Sequence, residues 1–186
     1  MTDPMKETVL MTAEEGRRIY AEMGATPVIN AIGNRTFLGG SAPSVSVRQA
    51  MEAANRYYVD MGELLESTGE VIAQLLGCEA ALVTPGCAAA LLLGTAGCMT
   101  GDDEEKMGRL PDAAGMKSKV LIQKAQRYKY DRVVRMAGTT LVEVGGDSGA
   151  TADQLAAAMG ADSLAVLYPA IGLPEGDTLS LEETIR

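Results

Sequence analysis

Histidine and tryptophan are absent from this sequence of 186 residues, and phenylalanine occurs once. Without histidine, the sequence excludes His-based catalytic triads, histidine metal sites and proton transfer through imidazole. Cysteine is scarce as well, and Cys78, Cys87 and Cys98 show no CxxC spacing, so no metal site is expected. Because each cysteine lies in an apolar stretch, we expect reduced, buried thiols and a cytoplasmic protein.

Basic charge is also in short supply, since 16 Lys and Arg stand against 25 Asp and Glu and the formal net charge is −9. Nucleic-acid binding needs a basic surface, so a nucleic-acid partner is not favoured. No apolar run approaches the ~18 residues of a membrane span. The first twenty residues contain no apolar segment of the kind found in signal peptides. We therefore expect no membrane partner.

Small residues are plentiful, with 21 Gly and several Ala runs. From residue 64 onward, helical periodicity alternates with short apolar segments that are typical of strands buried on both faces. The predicted strands are 80–83, 119–123, 139–144 and 163–168. The predicted helices are 64–76, 87–99, 130–137, 151–159 and one that begins near 179. This alternation predicts an α/β fold with a mostly parallel sheet flanked by helices.

The segments before residue 64 and between the strands are less regular. Thr12 and Glu15 form a capping-box pattern that predicts a helix ending near Gly24. A short extended segment is predicted at 27–31, a Gly-rich loop at 33–44 and a helix at 46–56. Residues 100–118 read as a polar connection. The last predicted helix would have only a few residues before Arg186, so we expect a truncated domain.

The segment from Val83 to Ala90 carries the strongest local signal. A predicted strand enters a Thr-Pro-Gly turn, and the turn opens a helix of small residues. Free N–H groups and the positive end of the helix dipole would then point outward, which suits a phosphate. The alternative is a plain strand-to-helix turn. Cys87 could be an activated thiol at this helix end, but no base lies nearby in sequence, so a small buried residue is favoured.

The segment 123–132 follows a predicted strand and is rich in cations and phenols. Loops after the carboxyl ends of parallel strands line ligand crevices, although a solvated basic face is an equal alternative. All six lysines lie in polar or flexible surroundings. A lysine that forms a Schiff base is normally desolvated, so none of the six fits that role.

Five spaced segments together resemble a known family. Residues 27–36, 77–84, 86–90, 109–112 and 126–131 are similar, in this order, to selenocysteine-synthase-like proteins that depend on pyridoxal 5'-phosphate (PLP). The similarity points to the branch that holds D-glucosaminate-6-phosphate ammonia-lyase and proteins labelled as L-seryl-tRNA(Sec) selenium transferase.

The resemblance covers residues 25–186 and implies fold type I, the aspartate aminotransferase-like fold. Residues 1–26 would form an N-terminal helical arm, and 27–186 the front part of the PLP-binding large domain. The lysine that forms the Schiff base, the aspartate that pairs with the pyridine nitrogen and the small C-terminal domain are expected downstream of Arg186. No catalytic residue is therefore expected within the sequence, and weak or absent PLP binding is expected of this chain alone.

The resemblance also implies site residues. The cofactor phosphate would rest on the backbone of Gly86, Cys87 and Ala88. Gln126 would contact the pyridine ring, at a position where many relatives have histidine. The residues implied for the carboxylate or phosphate of a small amino substrate are Arg35, Arg127 and Tyr130.

The function implied is that of a lyase or transferase fragment. Such an enzyme would act on an amino acid or amino sugar acid by β-elimination or replacement, as a homodimer or higher homo-oligomer. The alternative is a catalytically inactive remnant or assembly partner with the same fold. A generic nucleotide-binding protein is less attractive, because the sequence has neither a GxGxxG motif nor a P-loop motif.

Overall fold

The computed structural model describes residues 12–170 and 178–186. The chain divides into two compact units, Met1–Ala81 and Leu82–Arg186. The division reflects where contacts within the chain are dense. It does not test the domain boundary expected after residue 26, which stays a prediction.

The first unit is helical in its described part. Three helices, α1 (Ala13–Glu22), α2 (Val45–Ala54) and α3 (Met61–Leu76), are joined by loops, with a 3-10 turn at Thr36–Leu38. Each helix begins at a residue whose side chain accepts a backbone N–H, namely Thr12, Ser44 and Asp60. The capping box predicted at Thr12 is confirmed. Gly77 ends α3 in the left-handed conformation, next to the predicted helix end at residue 76.

The short extended segment predicted at 27–31 is not part of a strand. This segment has no regular secondary structure, and Ile29 is fully exposed. A strand needs backbone hydrogen bonds to a neighbouring strand, and the described part of this unit offers none. Instead, the Asn30 side chain accepts the Ile32 N–H and donates to the Gly33 carbonyl, a local turn that competes with extended structure.

The second unit contains the sheet. Its described elements, in chain order, are α4 (Cys87–Thr100), α5 (Glu104–Arg109), β1 (Lys119–Gln123), 3-10 turns at Lys124–Gln126 and Asp131–Ala137, β2 (Thr140–Val144), α6 (Ala152–Ala158), β3 (Ser163–Val166) and α7 (Leu181–Ile185). The last two helices begin where the sequence predicted, and capping boxes at Thr151 and Ser180 start them.

The sheet has three strands in the order β2-β1-β3, and both pairings are parallel. The central strand β1 is buried along four of its five residues, as expected for the middle of a covered parallel sheet. A hydrophobic cluster on one side consists of Leu121, Val144, Ala150, Leu155 and Leu179. The predicted α/β class with a parallel, helix-flanked sheet is confirmed.

Three details of the second unit differ from the sequence prediction. Residues 80–83 form no strand, and Leu82 and Val83 are exposed, because no neighbouring strand in the described chain pairs with them. The polar connection at 100–118 contains α5, which begins at Asp103, whose carboxylate accepts the Lys106 N–H. The helix predicted at 130–137 is a 3-10 helix, and it ends at Gly138 in the left-handed conformation.

A buried glutamine joins the end of β1 to the start of α7. The Gln123 side-chain amide donates to the Leu179 carbonyl at 3.0 Å and accepts the Leu179 N–H at 2.8 Å. This pair of bonds mimics one step of a strand ladder, and it satisfies both polar atoms of a side chain that is 1% exposed. It therefore fixes residues 178–180 against the carboxyl edge of the sheet.

An ion pair at the start of β1 makes stability depend on pH. Lys119 Nζ lies 2.8 Å from Asp162, and this hydrogen bond lowers the pKa of Asp162 from its ordinary value. A carboxyl group whose pKa is lowered by folding stabilises the folded state when the pH is above its unfolded-state pKa of about 4. This stabilisation is lost as the pH falls through the lower pKa of the folded state. Asp162→Asn should therefore lower the urea midpoint at about pH 7 by more than at about pH 3. An equal loss at both pH values would contradict this assignment.

Candidate functional site

The N-terminus of α4 is open. Gly86 precedes the helix with φ 152° and ψ 173°, a backbone conformation that is essentially restricted to glycine. No side chain caps this helix end, and Gly86, Cys87 and Ala88 are all exposed. The first N–H groups of a helix have no intrahelical partner, and the dipole places partial positive charge there. These N–H groups can therefore donate hydrogen bonds to a bound anion.

Tyr128 brings the loop after β1 to the same place. The pKa of Tyr128 is raised, first because its hydroxyl is partly buried and then because Cys87 and Asp131 lie within electrostatic range. Cys87 is the first residue of α4, so the phenol lies within electrostatic range of the open helix end. A phenol with a raised pKa stays protonated at neutral pH and can donate a hydrogen bond to an anion.

Arg127, which the sequence assigned to substrate, is engaged with two carboxylates. Its Nε donates to Asp131 at 2.5 Å, and one of its terminal nitrogens donates to Glu143. Asp131, which is 2% exposed, also accepts the Tyr128 N–H at 3.0 Å. The hydrogen bond to Asp131 is the first cause of a raised pKa at Arg127. The pairing fixes the conformation of the loop that carries Tyr128, and the substrate role of Arg127 stays a prediction.

The other cations of this loop lie at the surface. Lys124 Nζ lies 2.9 Å from Asp147, and Lys129 Nζ lies 4.7 Å above the ring of Tyr130. The Tyr130 and Tyr128 rings meet edge to face, with centroids 6.3 Å apart. Tyr130 therefore packs against Tyr128, and its expected contact with substrate stays a prediction.

Gln126 is the most unusual side chain at this edge of the sheet. It is 5% exposed, and neither its amide nitrogen nor its amide oxygen has a hydrogen-bond partner. Native proteins pair almost all buried polar atoms, so an unpaired amide needs an explanation. The sequence named Gln126 as a ring contact by resemblance, but nothing in the sequence indicated that its amide would be buried and unpaired.

Two sequence expectations concern residues elsewhere. Arg35 belongs to the first unit, where it is exposed in a turn closed by an isolated bridge to Gly40, and its substrate role stays a prediction. The buried environment expected for the cysteines was wrong, because Cys78, Cys87 and Cys98 are all exposed free thiols. An apolar sequence neighbourhood does not bury a side chain when, as with Cys87, the residue lies in the first turn of a helix that begins at the surface.

Other site classes can be judged for the described ranges, 12–170 and 178–186. Nowhere in them do three or more Cys, Asp or Glu side chains gather in a way that could hold a metal ion. No helix in them has both the length and the apolar character needed to cross a membrane. Five of the six lysines fall in the described part, all of them partly or fully exposed, and Lys6 lies outside it.

Comparisons with known proteins identify relatives of this chain by sequence and by structure. No family model matches the chain. The chain is 32% identical to D-glucosaminate-6-phosphate ammonia lyase of Salmonella typhimurium over 154 residues, which is 81% of this chain and 42% of the relative. It is 31% identical to 5'-C-glycyluridine monooxygenase-decarboxylase of a Streptomyces species, over 80% of this chain and 39% of that relative.

A solved structure gives the same result for the fold. The structure of D-glucosaminate-6-phosphate ammonia-lyase superposes with a TM-score of 0.84 at 30% identity, covering 90% of this chain and 47% of that one. The chain thus spans less than half the length of each of these relatives. The resemblance seen in the sequence is confirmed over this span, in which the chain is similar to the branch that holds D-glucosaminate-6-phosphate ammonia-lyase.

Proposed function

We propose that this chain supplies the phosphate-binding part of a PLP-dependent lyase that acts on an amino sugar acid. The observation that carries the proposal is the open, uncapped N-terminus of α4, whose first residue lies within electrostatic range of the Tyr128 phenol. Backbone N–H groups, a helix dipole and one hydroxyl donor form a set that suits a phosphate monoester. Similarity to an ammonia lyase of an amino sugar acid supports the substrate class.

The described residues fit the cofactor in two respects. The amides of Cys87 and Ala88 would hold its phosphate, and the buried, unpaired amide of Gln126 leaves hydrogen-bonding capacity for another part of it. The cofactor, when bound, supplies the electron sink for the reaction at the amino-bearing carbon. This chain's residues bind and orient it, and the pair formed by Arg127 and Asp131 fixes the loop that does so.

The proton-transferring amine is not assigned to a described lysine. Lys106, Lys119 and Lys124 are paired with carboxylates, and Lys129 lies over a ring at the surface. Lys117 is exposed as well. A lysine that forms a Schiff base is normally desolvated, and none of these five is buried. The proposal for this chain is therefore a binding role within the lyase.

A titration with pyridoxamine 5'-phosphate tests the proposal. This probe has no aldehyde, so it cannot form adducts with surface lysines, and it fluoresces. We expect weak but saturable binding, because only the phosphate-binding part of the site is present, with pyridoxamine binding at least about tenfold more weakly because it lacks the charged group that the helix N-terminus holds. Equal binding of the two compounds, or no binding of either, would refute the proposal.

A substitution at the second residue of α4 gives a sharper prediction. Ala88→Asp places a carboxylate at the helix N-terminus, where it competes with phosphate for the same N–H groups and repels it. We expect the affinity for pyridoxamine 5'-phosphate to fall by about tenfold or more, while the melting temperature stays equal or rises slightly. Ala88→Asn is the matched neutral control and should retain most of the affinity. Unchanged binding by Ala88→Asp would show that the phosphate lies elsewhere.

A second candidate is an inactive assembly partner. Within the described part of the first unit, α1 and α2 have no buried residue, and α3 buries only Gly69 and Ala73. Large side chains such as Leu75 and Tyr58 are exposed there, and apolar surface of this extent is typical of an interface. Light scattering across a concentration series distinguishes the candidates, because an assembly partner would form oligomers without any response to pyridoxamine 5'-phosphate.

A further inference from the structure

The 3-10 helix at Asp131–Ala137 sorts its side chains into rows. Such a helix has three residues per turn, so side chains three positions apart lie one above the other. Its buried row consists of Asp131, Val134 and Ala137. Arg132 and Arg135 belong to a second row, which is exposed, and Lys129 lies three residues earlier in the turn that leads into the helix. We call these three cations the basic ridge.

The basic ridge attracts no carboxylate from the chain that carries it. The neighbouring cations Lys124 and Arg127 both form ion pairs with Asp or Glu side chains. Over residues 12–170 and 178–186, no such pair forms at Arg132 or Arg135, and Lys129 contacts only the ring of Tyr130. In a chain with a formal net charge of −9, this surface is therefore open to a carboxylate of another molecule.

A groove of about 220 Å³ in the first unit has the opposite charge. Its charged lining consists of Glu66, Glu70 and Glu79. All three side chains are exposed, and in the described part of the chain none of them forms an ion pair. Small residues form the base of the groove, and a Cβ at Gly69 would lie 2.4 Å from the Ala81 carbonyl oxygen. We call this feature the acidic groove.

The size and the chemistry of the acidic groove restrict what can occupy it. Its volume is below the roughly 300 Å³ at which pockets for drug-sized ligands begin. Within the described ranges its glutamates do not gather in a way that could hold a metal ion. A guanidinium group is small enough to enter, and its planar set of donors matches a carboxylate. The groove therefore suits an arginine side chain.

We propose that the basic ridge docks onto the acidic groove of a second copy of this chain. Arg132 and Arg135 are one 3-10 turn apart, about 6 Å along the helix axis. Glu66 and Glu70 are four residues apart on α3, which is also about 6 Å. Charge pairs of this kind fix orientation and association rate more than affinity, so the association is weak and sensitive to salt. The inference is independent of the proposed function, because neither surface includes a residue of the phosphate site.

Charge reversal in the whole 186-residue chain tests the inference. We expect the unsubstituted chain to form dimers with rising concentration in sedimentation velocity, and the dimer to weaken at least about tenfold between about 10 mM and 1 M salt. Arg132→Glu with Arg135→Glu, the ridge variant, should weaken it to the same degree. Glu66→Arg with Glu70→Arg, the groove variant, should do so as well, since each variant alone opposes like charges.

A mixture of the ridge variant and the groove variant is the decisive measurement. Acidic ridges then meet basic grooves, so the mixed dimer should recover most of the lost affinity. General attraction does not explain such recovery, because the chain starts at −9 and each double reversal changes the charge by four, so both variants stay negative. A mixture that associates no better than either variant alone would overturn the inference.

Arg17→Glu with Lys117→Glu is the matched control. Both side chains are exposed cations outside the ridge, and their reversal changes the net charge by the same amount. This control should leave the dimer unchanged, and its melting temperature and those of the two variants should stay within about 2 °C of the unsubstituted chain. A control that weakens the dimer as much as the ridge variant would overturn the inference. So would a chain that stays monomeric at low salt, or association that strengthens with salt, which is typical of apolar contact.

Discussion

Replacing Gly138 by alanine is expected to lower the free energy of unfolding of the second unit by about 3 kcal/mol or more. Gly138 ends the 3-10 helix at Asp131–Ala137 with φ 100°, where L-residues are strained. A Cβ at this position would lie 2.2 Å from the Pro111 carbonyl oxygen and 3.0 Å from its carbon. Both atoms are backbone, so no side-chain rotation relieves the contact. Urea unfolding measures the change.

Two other glycines of the same unit separate strain from steric contact. Gly115 also has a positive φ, 77°, but an added Cβ would meet nothing within 4 Å, so Gly115→Ala should cost only about 1 kcal/mol. Gly108 lies in α5 with open space around it, and Gly108→Ala should be neutral or slightly stabilising. A loss at Gly138 no larger than that at Gly115 would show that the loop at Pro111 moves to accommodate a methyl group.

The elements that the sequence predicted correctly are those with a local physical cause. Thr12, Thr151 and Ser180 begin helices because their side chains and a Glu or Gln three residues later satisfy free N–H groups within one turn. The strands at 119–123 and 139–144 have apolar, β-branched centres and lie beside each other in the sheet. These signals need no knowledge of distant residues.

The elements that were wrong depend on partners that are distant in sequence. Residues 80–83 have strand-like composition, but within the described chain they find no neighbouring backbone to pair with. The helix predicted at 130–137 forms as a 3-10 helix, whose first residue, Asp131, is fixed by Arg127 and Tyr128. An apolar pattern predicts that a segment is buried. Whether that segment becomes a strand or a helix of a given type depends on its tertiary contacts.

The candidate site divides in the same way. The helix end at Gly86 was visible in the sequence, because a Pro-Gly turn before a run of small residues is a local signal. The ion pair between Arg127 and Glu143 could not be seen in the sequence. Glu143 lies on the adjacent strand β2, and its proximity to Arg127 follows from the register of the sheet. The unpaired amide of Gln126 was equally invisible, since hydrogen-bond satisfaction is a property of the packed structure.

Arg127→Met is expected to destabilise the second unit by about 3–5 kcal/mol. The substitution leaves Asp131, which is 2% exposed, with the Tyr128 N–H as its remaining hydrogen-bond donor. Removing one partner of a buried ion pair leaves an uncompensated charge in a medium that solvates it poorly. By contrast, Glu143→Gln touches only the half-exposed partner of Arg127 and should cost no more than about 1 kcal/mol.

The double variant Arg127→Met with Asp131→Leu decides whether the arginine stabilises the loop or serves a ligand. If its role is to balance the buried carboxylate, removing both charges should recover much of the stability, apart from the loss of the bond to the Tyr128 N–H. Binding of pyridoxamine 5'-phosphate should then return together with stability. If stability returns while binding stays weak, Arg127 contacts the ligand itself, as the sequence resemblance implied, and its two carboxylates hold it in position for that contact.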